Sequence, residues 1–146
     1  MRSCDHAIVQ SVEFPKFISG NLNRAEMGTI KNFEDLDLWK DAREMVNLIY
    51  SDFGKCRDLT FRGQITGAGI SVMNNISEGF CRKSDAEFCH FLNISKGSAG
   101  EVKNMCYIAE DQKYTDTITA EDRRTRCQQL MNSLGGFMKY LSPKKK

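Results

Sequence analysis

The chain has 146 residues, 40% hydrophobic and 27% charged, which fits one globular domain with a real core. With 21 Lys and Arg against 19 Asp and Glu, the net charge of +2 neither demands nor excludes a nucleic-acid partner. No apolar run reaches the roughly 18 residues that span a bilayer, and "HAIVQSV" is too short and too polar for a signal core, so a cytoplasmic location is expected.

Residues 1–31 show no sustained period and read as a weakly ordered extension. From Asp35 the period turns helical. Trp39, Ala42, Val46, Ile49 and Phe53 form one stripe, and Gly54 closes the helix. A second helix is expected from about Asp58 to Phe80, with Phe61, Ile65, Ala68, Val72, Asn75 and Gly79 along its seam. The third opens on "SDAE", a capping box. Ser84 accepts from the backbone N–H of Glu87, and Glu87 reaches back to that of Ser84. Its stripe is Phe88, Leu92, Ser95, Ala99, Val102, Cys106 and Ala109. Phe91, Ile94, Met105 and Ile108 widen the apolar face enough to predict burial on more than one side. Thr119, with Asp122 three residues on, is the expected N-cap of a fourth helix. That helix carries Cys127, Met131, Leu134, Met138 and Leu141, flanked by Leu130 and Phe137. The pattern predicts an all-α fold, an antiparallel up-down-up-down four-helix bundle over residues 32–141. A basic tail, 142–146, follows it.

Three features invite a chemical reading. "GQITGAG" resembles a phosphate loop but lacks the Gly-Lys-Ser/Thr of a P-loop, and no strand precedes it. Packing explains it better. If helices 2 and 3 form a hairpin, Gly67 lies level with Gly97, and the small residues mark a close approach of backbones, either of the partner helix or of another subunit. Glu87-x-x-His90 suggests half of a di-iron ligand set. It is a single pair, and completing it needs a second copy with Glu78 or Glu101 as further ligands. Cys89 beside His90 is no catalytic pair, because adjacent helical residues point about 100° apart. The reading is therefore no catalytic residue, no metal and no cofactor. Asn74, Asn75, Glu78 and Gly79 are taken as structural, a polar plug and helix end. The six cysteines include no C-x-x-C pair and are read as reduced thiols acting as small apolar side chains.

The runs "FEDLDLWKDAREMVNLIY" and "QITGAGISVMNNISEGFCRKSDAEFCHFLNISKGSAGE" resemble the bacterial four-helix-bundle proteins of intervening sequences in large-subunit ribosomal RNA genes. Those proteins are distantly similar to the accessory variability protein of diversity-generating retroelements. The most specific part is Asn75-Ile76-x-Glu78-Gly79-Phe80-x-Arg82, then Ser84, Glu87-Phe88, Phe91-Leu92 and Gly97-Ser98-x-x-Glu101. The resemblance covers about residues 32 to 141. It implies a homopentameric ring, no known enzymatic activity and, for the retroelement relatives, binding to nucleic acid and to a reverse transcriptase through a basic surface. The chain departs from the pattern after Gln64, where the family usually has basic residues and this sequence has Thr66-Gly67.

Two functions follow as expectations. One is a non-enzymatic, self-assembling accessory binder of RNA, DNA or a ribonucleoprotein, with contacts from Arg82, Lys83, Arg123, Arg124, Arg126, Lys144, Lys145 and Lys146. The other is an oligomeric protein-interaction scaffold without nucleic acid. On that reading the same charges are a solvated surface, with Asp122 pairing Arg126 at i,i+4.

Overall fold

The computed structural model describes residues 30–142. The expectations placed on residues 1–29, and on Lys144, Lys145 and Lys146, lie outside them. Among the described residues there are four α-helices and no strand: α1 (Asp37–Phe53), α2 (Leu59–Phe80), α3 (Asp85–Asp111) and α4 (Thr117–Leu141). A short 3-10 turn, Phe33–Asp35, leads into α1, so the first helix starts two residues later than its period suggests.

Local chemistry sets the helix ends. The Asp58 carboxylate accepts from Phe61 N at 2.9 Å and caps α2. At α3, the Ser84 hydroxyl accepts from Glu87 N at 3.2 Å and donates to the Glu87 carboxylate at 2.9 Å. The box therefore closes through the serine hydroxyl rather than through its backbone N–H. The cap of α4 is Asp116, not Thr119. Its carboxylate accepts from both the N–H and the hydroxyl of Thr119, at 2.7 and 2.9 Å. A carboxylate placed three residues ahead satisfies two donors at once, which moves the start of the helix upstream. At the end of α3, Lys113 takes φ 60°, with Tyr114 N donating to Ala109 O and Lys113 N to Glu110 O. This is a Schellman ending with lysine where glycine is usual.

Packing follows the predicted stripes closely on α3, where Phe88, Leu92, Ser95, Ala99, Val102, Cys106 and Ala109 are all buried. On α1 the seam lies slightly differently. Leu38 and Met45 are buried where Trp39 and Val46 were expected, and those two are half-buried. Two core clusters run through the molecule. One gathers Leu36, Leu38, Val72, Ile76, Leu92, Leu130 and Leu134 with the Phe88–Phe137 edge contact. The other gathers Met45, Ile49, Phe53, Phe61, Ile65, Val102, Cys106 and Cys127. Helices α2 and α3 are tied by polar groups as well. Ser95 Oγ donates to Val72 O at 2.9 Å, and Ser71 and Ser98 share a hydroxyl–hydroxyl bond of 2.8 Å.

The glycines do not behave as the hairpin argument predicts. A Cβ at Gly67 or Gly97 would meet nothing within 4 Å, so neither marks a close approach of α2 to α3. The close approaches are at Gly69, against Ile49 of α1, and at Gly79, against Phe88 and Phe91 of α3. Gly67 and Gly97 sit on the outer side of the pair, and the α2–α3 contacts that form, Val72 with Ser95 and Ser71 with Ser98, place Gly67 level with about residues 100–102 rather than with Gly97.

Candidate nucleic-acid interface

The eight basic residues singled out in the sequence divide into three groups. Arg82 and Lys83 lie in the turn between α2 and α3, and both are exposed. The Arg82 guanidinium pairs with the Glu78 carboxylate one helical turn back and lies 4.8 Å from the centre of the Phe91 ring. Glu78 thus orients the arginine, and the ring supports its apolar plane. Lys144, Lys145 and Lys146 fall outside the described residues.

The third group is built differently. Arg123, Arg124 and Arg126 occupy the first half of α4, and their side chains are only 13–15% exposed. Arg123 forks onto Asp52 of α1, with Nε at 2.6 Å and Nη2 at 3.1 Å, and also reaches Asp122. Arg124 pairs with Glu110 of α3 and lies 4.3 Å from the centre of the Tyr107 ring. Arg126 Nε meets Asp122 at 2.7 Å, the i,i+4 pair expected from spacing, and its Nη1 lies 3.7 Å from Glu44. Burial opposes the charge on Arg123 and Arg124, but the hydrogen bonds they donate to their partner carboxylates, with the carboxylate charge, outweigh it and raise both above the usual arginine value. The Arg124 hydrogen bond likewise holds Glu110 below the usual carboxylate range. This ionic belt joins α1, α3 and α4. Its acidic members, Glu44, Asp52 and Glu110, could not be assigned as partners from sequence because they lie on other helices.

The polar stretch from Asn74 to His90 resolves into scaffolding. Asn75 Nδ2 donates to Ser71 O at 2.8 Å and to Ser71 Oγ at 3.0 Å, joining the Ser71–Ser98 bond between helices. Asn74 is exposed, and its carbonyl accepts from Ser77 Oγ. The Glu87 carboxylate accepts from the Ser84 hydroxyl that caps α3, and His90 is exposed beside Phe91. Among the described residues, no three His, Cys, Asp or Glu side chains form a group that could hold a metal ion.

Of the two places expected for the small residues, against the partner helix or on an outer face, Gly63, Gly67 and Gly97 take the outer face. Gly63, Gly67 and Ile70 follow one stripe of α2, and Ile94, Gly97, Glu101, Asn104 and Ile108 follow one stripe of α3. Ile70, Ile94 and Ile108 are 38–40% exposed, and Gly63, Gly67 and Gly97 have open space above them. An open groove of about 440 Å³ is lined by Gln64 of α2 and Gly100, Glu101, Asn104 and Met105 of α3. No helix among the described residues is long and apolar enough to cross a membrane.

These features define a four-helix protein whose polar interior groups serve helix caps and interhelical ties. The chain belongs to the 23S rRNA-intervening sequence protein family, whose model matches residues 34–136. A solved structure shares the fold: a protein of unknown function from the S23 ribosomal protein family of Bacteroides thetaiotaomicron, with TM-score 0.63 and 22% sequence identity. The match covers 70% of this chain and 98% of that one. No curated protein matches the sequence.

Proposed function

We propose that this chain is a non-enzymatic cytoplasmic accessory protein that assembles with copies of itself and binds RNA or DNA. Its helices run up-down-up-down, and five copies close into a ring. The outer face of α2 and α3 carries this reading. Glycines with nothing above them, flanked by half-exposed isoleucines, form a surface on which another backbone can lie closely. A ring repeats each Arg82–Lys83 corner and each Lys144–Lys146 tail by symmetry, so a modest charge per copy sums to a basic zone. The family's link to ribosomal RNA genes supports a nucleic-acid partner. A reverse transcriptase or another protein is a further candidate partner.

A scaffold without nucleic acid is the second reading, and one observation favours it. Arg123, Arg124 and Arg126 hold ion pairs with Asp52, Glu110, Asp122 and Glu44, so much of their charge is already matched within the chain.

Light scattering, with and without nuclease treatment, tests assembly, and Gly97→Leu on the open face is expected to return the mass to that of one chain. Fluorescence anisotropy with a labelled RNA, and with a DNA of the same sequence, tests binding. The accessory reading expects binding that weakens steeply with salt and falls when Arg82 and Lys83 become Ala. An intact oligomer that binds neither strand at low salt selects the scaffold. A monomeric wild type removes both readings.

A further inference from the structure

The seam between α3 and α4 carries basic groups outside the eight named from the sequence. Four cross-helix contacts mark it. A Cβ at Gly135 would stand 3.6 Å from Lys96 Nζ, and one at Gly100 would stand 3.7 Å from Met131 Cε. Lys103 Nζ donates to Gln128 Oε1 at 2.8 Å, and the Arg124 guanidinium lies over the Tyr107 ring. These contacts advance by four, three and four residues on α3 and retreat by the same steps on α4, so they share one antiparallel register.

Lys96 and Lys103 are half-buried and lie about 10 Å apart along the helix axis. Among the described residues, neither forms an ion pair with a carboxylate, and nor does exposed Lys139 further along α4. Acids are sparse here: α4 has no Asp or Glu after Asp122, and α3 has none between Glu87 and Glu101. The amides extend the same polarity. Lysine only donates, so it turns the Gln128 carbonyl toward itself, and Gln128 Nε2 then donates to Asn132 Oδ1 at 2.9 Å. Exposed Asn132 is left with its NH2 group, a donor, to offer. At the other end of the seam Arg124 is matched by Glu110, but the Tyr107 ring beneath it is 51% exposed.

We propose that the α3–α4 seam is a track for a single nucleic-acid strand, with Lys96, Lys103 and Lys139 on its phosphates and Tyr107 stacked on a base. This rests on the nucleic-acid reading above and gives it a surface. An ammonium meets phosphate as a point charge and needs no fixed angle. From Lys96 to Tyr107 the track runs about 16 Å, the length of about five nucleotides at about 3.4 Å each. A single strand fits better than a duplex, because stacking on an aromatic ring needs an open base face, and pairing keeps those faces covered.

Fluorescence anisotropy on the full chain, with a labelled single-stranded RNA, a DNA of the same sequence and the corresponding duplex, tests the track. Wild type is expected to bind a single strand more tightly than the duplex. Lys96→Gln with Lys103→Gln should weaken binding about tenfold at low salt and flatten the slope of log affinity against log salt by about 1.4, at about 0.7 per phosphate contact. Tyr107→Leu should weaken it about fivefold or more, whereas Tyr107→Phe keeps the ring and stays near wild type. Each variant should retain the wild-type mass by light scattering and the wild-type melt by circular dichroism. Lys139→Gln, at an exposed position, replaces any seam variant that does not fold and is judged on the same loss of affinity and slope. A wild type that binds no strand removes the nucleic-acid reading and the track together. Binding that falls when Arg82 and Lys83 become Ala, yet keeps its affinity and salt slope in the lysine variants, preserves that reading and overturns the track. A duplex bound as tightly as the single strand overturns it too. So does a lysine variant whose mass drops to that of one chain, because the seam is then a subunit contact.

Discussion

The same change, Gly→Ala, is expected to act in opposite directions at two positions of one helix. At Gly79 an added Cβ would lie 2.8 Å from Phe91 Cβ and 2.8 Å from Phe88 Cδ2. Favourable carbon contacts are about 3.5–4.0 Å. Phe91 Cβ is fixed to the α3 backbone and cannot swing aside, so the helices must separate. Overpacking of this kind costs about 1–3 kcal/mol. Alanine's helix preference returns about 1 kcal/mol at mid-helix, and less at Gly79, the penultimate residue of α2. The net effect is a loss of about 1–2 kcal/mol. At Gly67 the Cβ meets nothing within 4 Å, and the propensity term stands alone, a gain of about 1 kcal/mol. The two variants then differ by about 2–3 kcal/mol, or about 8–12 °C in midpoint at about 4 °C per kcal/mol. Thermal unfolding followed by far-ultraviolet circular dichroism measures this, at concentrations where association does not contribute. A Gly79→Ala chain that melts at or above wild type would refute the tight contact between the end of α2 and α3. A Gly67→Ala chain that melts well below wild type would refute the open face.

Four further outcomes are expected. Arg123→Met leaves the mostly buried Asp52 carboxylate without its fork and costs about 3 kcal/mol in urea unfolding, most of which Asp52→Leu restores in the double variant. Burial, with Asp37 and Glu44 nearby, raises Asp41 to about 6 from the ordinary 3.8. A raised carboxyl contributes stability below its unfolded value and loses it as pH rises through about 6, so Asp41→Asn should raise the thermal midpoint at about pH 7.5 and give no advantage at about pH 3.5. Asp58 and Asp116 have the opposite sign: the N–H groups of Phe61 and Thr119 hold them below the ordinary value. Their stabilisation is present above that value and is lost as pH falls through the lowered one, which an acid titration of the wild type against Asp58→Asn will register. Lys113→Gly removes a left-handed strain at φ 60° and should stabilise the chain by about 1 kcal/mol in urea unfolding.

The period of apolar residues made all four helices legible, because a packed helix must bury one stripe and the stripe repeats every 3.6 residues. It was most accurate for α3, whose seven seam residues are all buried. It placed the seam less well on α1, where hydrophobic residues stand side by side at Leu38–Trp39 and Met45–Val46 and the pattern does not say which of each pair faces inward. The cap of α4 was misplaced because Asp116 and Thr119 are both good caps, and only the backbone path decides between them. The candidate interface was legible only as a set of basic residues. Whether such a residue meets solvent or a carboxylate depends on neighbours from other helices, and Asp52 lies 71 residues from Arg123.

What this sequence determined by itself is the local alternation of apolar and polar residues, the cap at Ser84, and the family signature around Asn75–Arg82. All of these act over a few residues of chain. Tertiary structure decided which glycines are crowded and which are bare, which arginines are already paired, and that Met45 and Cys127 meet. Those outcomes depend on the rotation of each helix about its own axis relative to its neighbours, which no single stretch of sequence encodes.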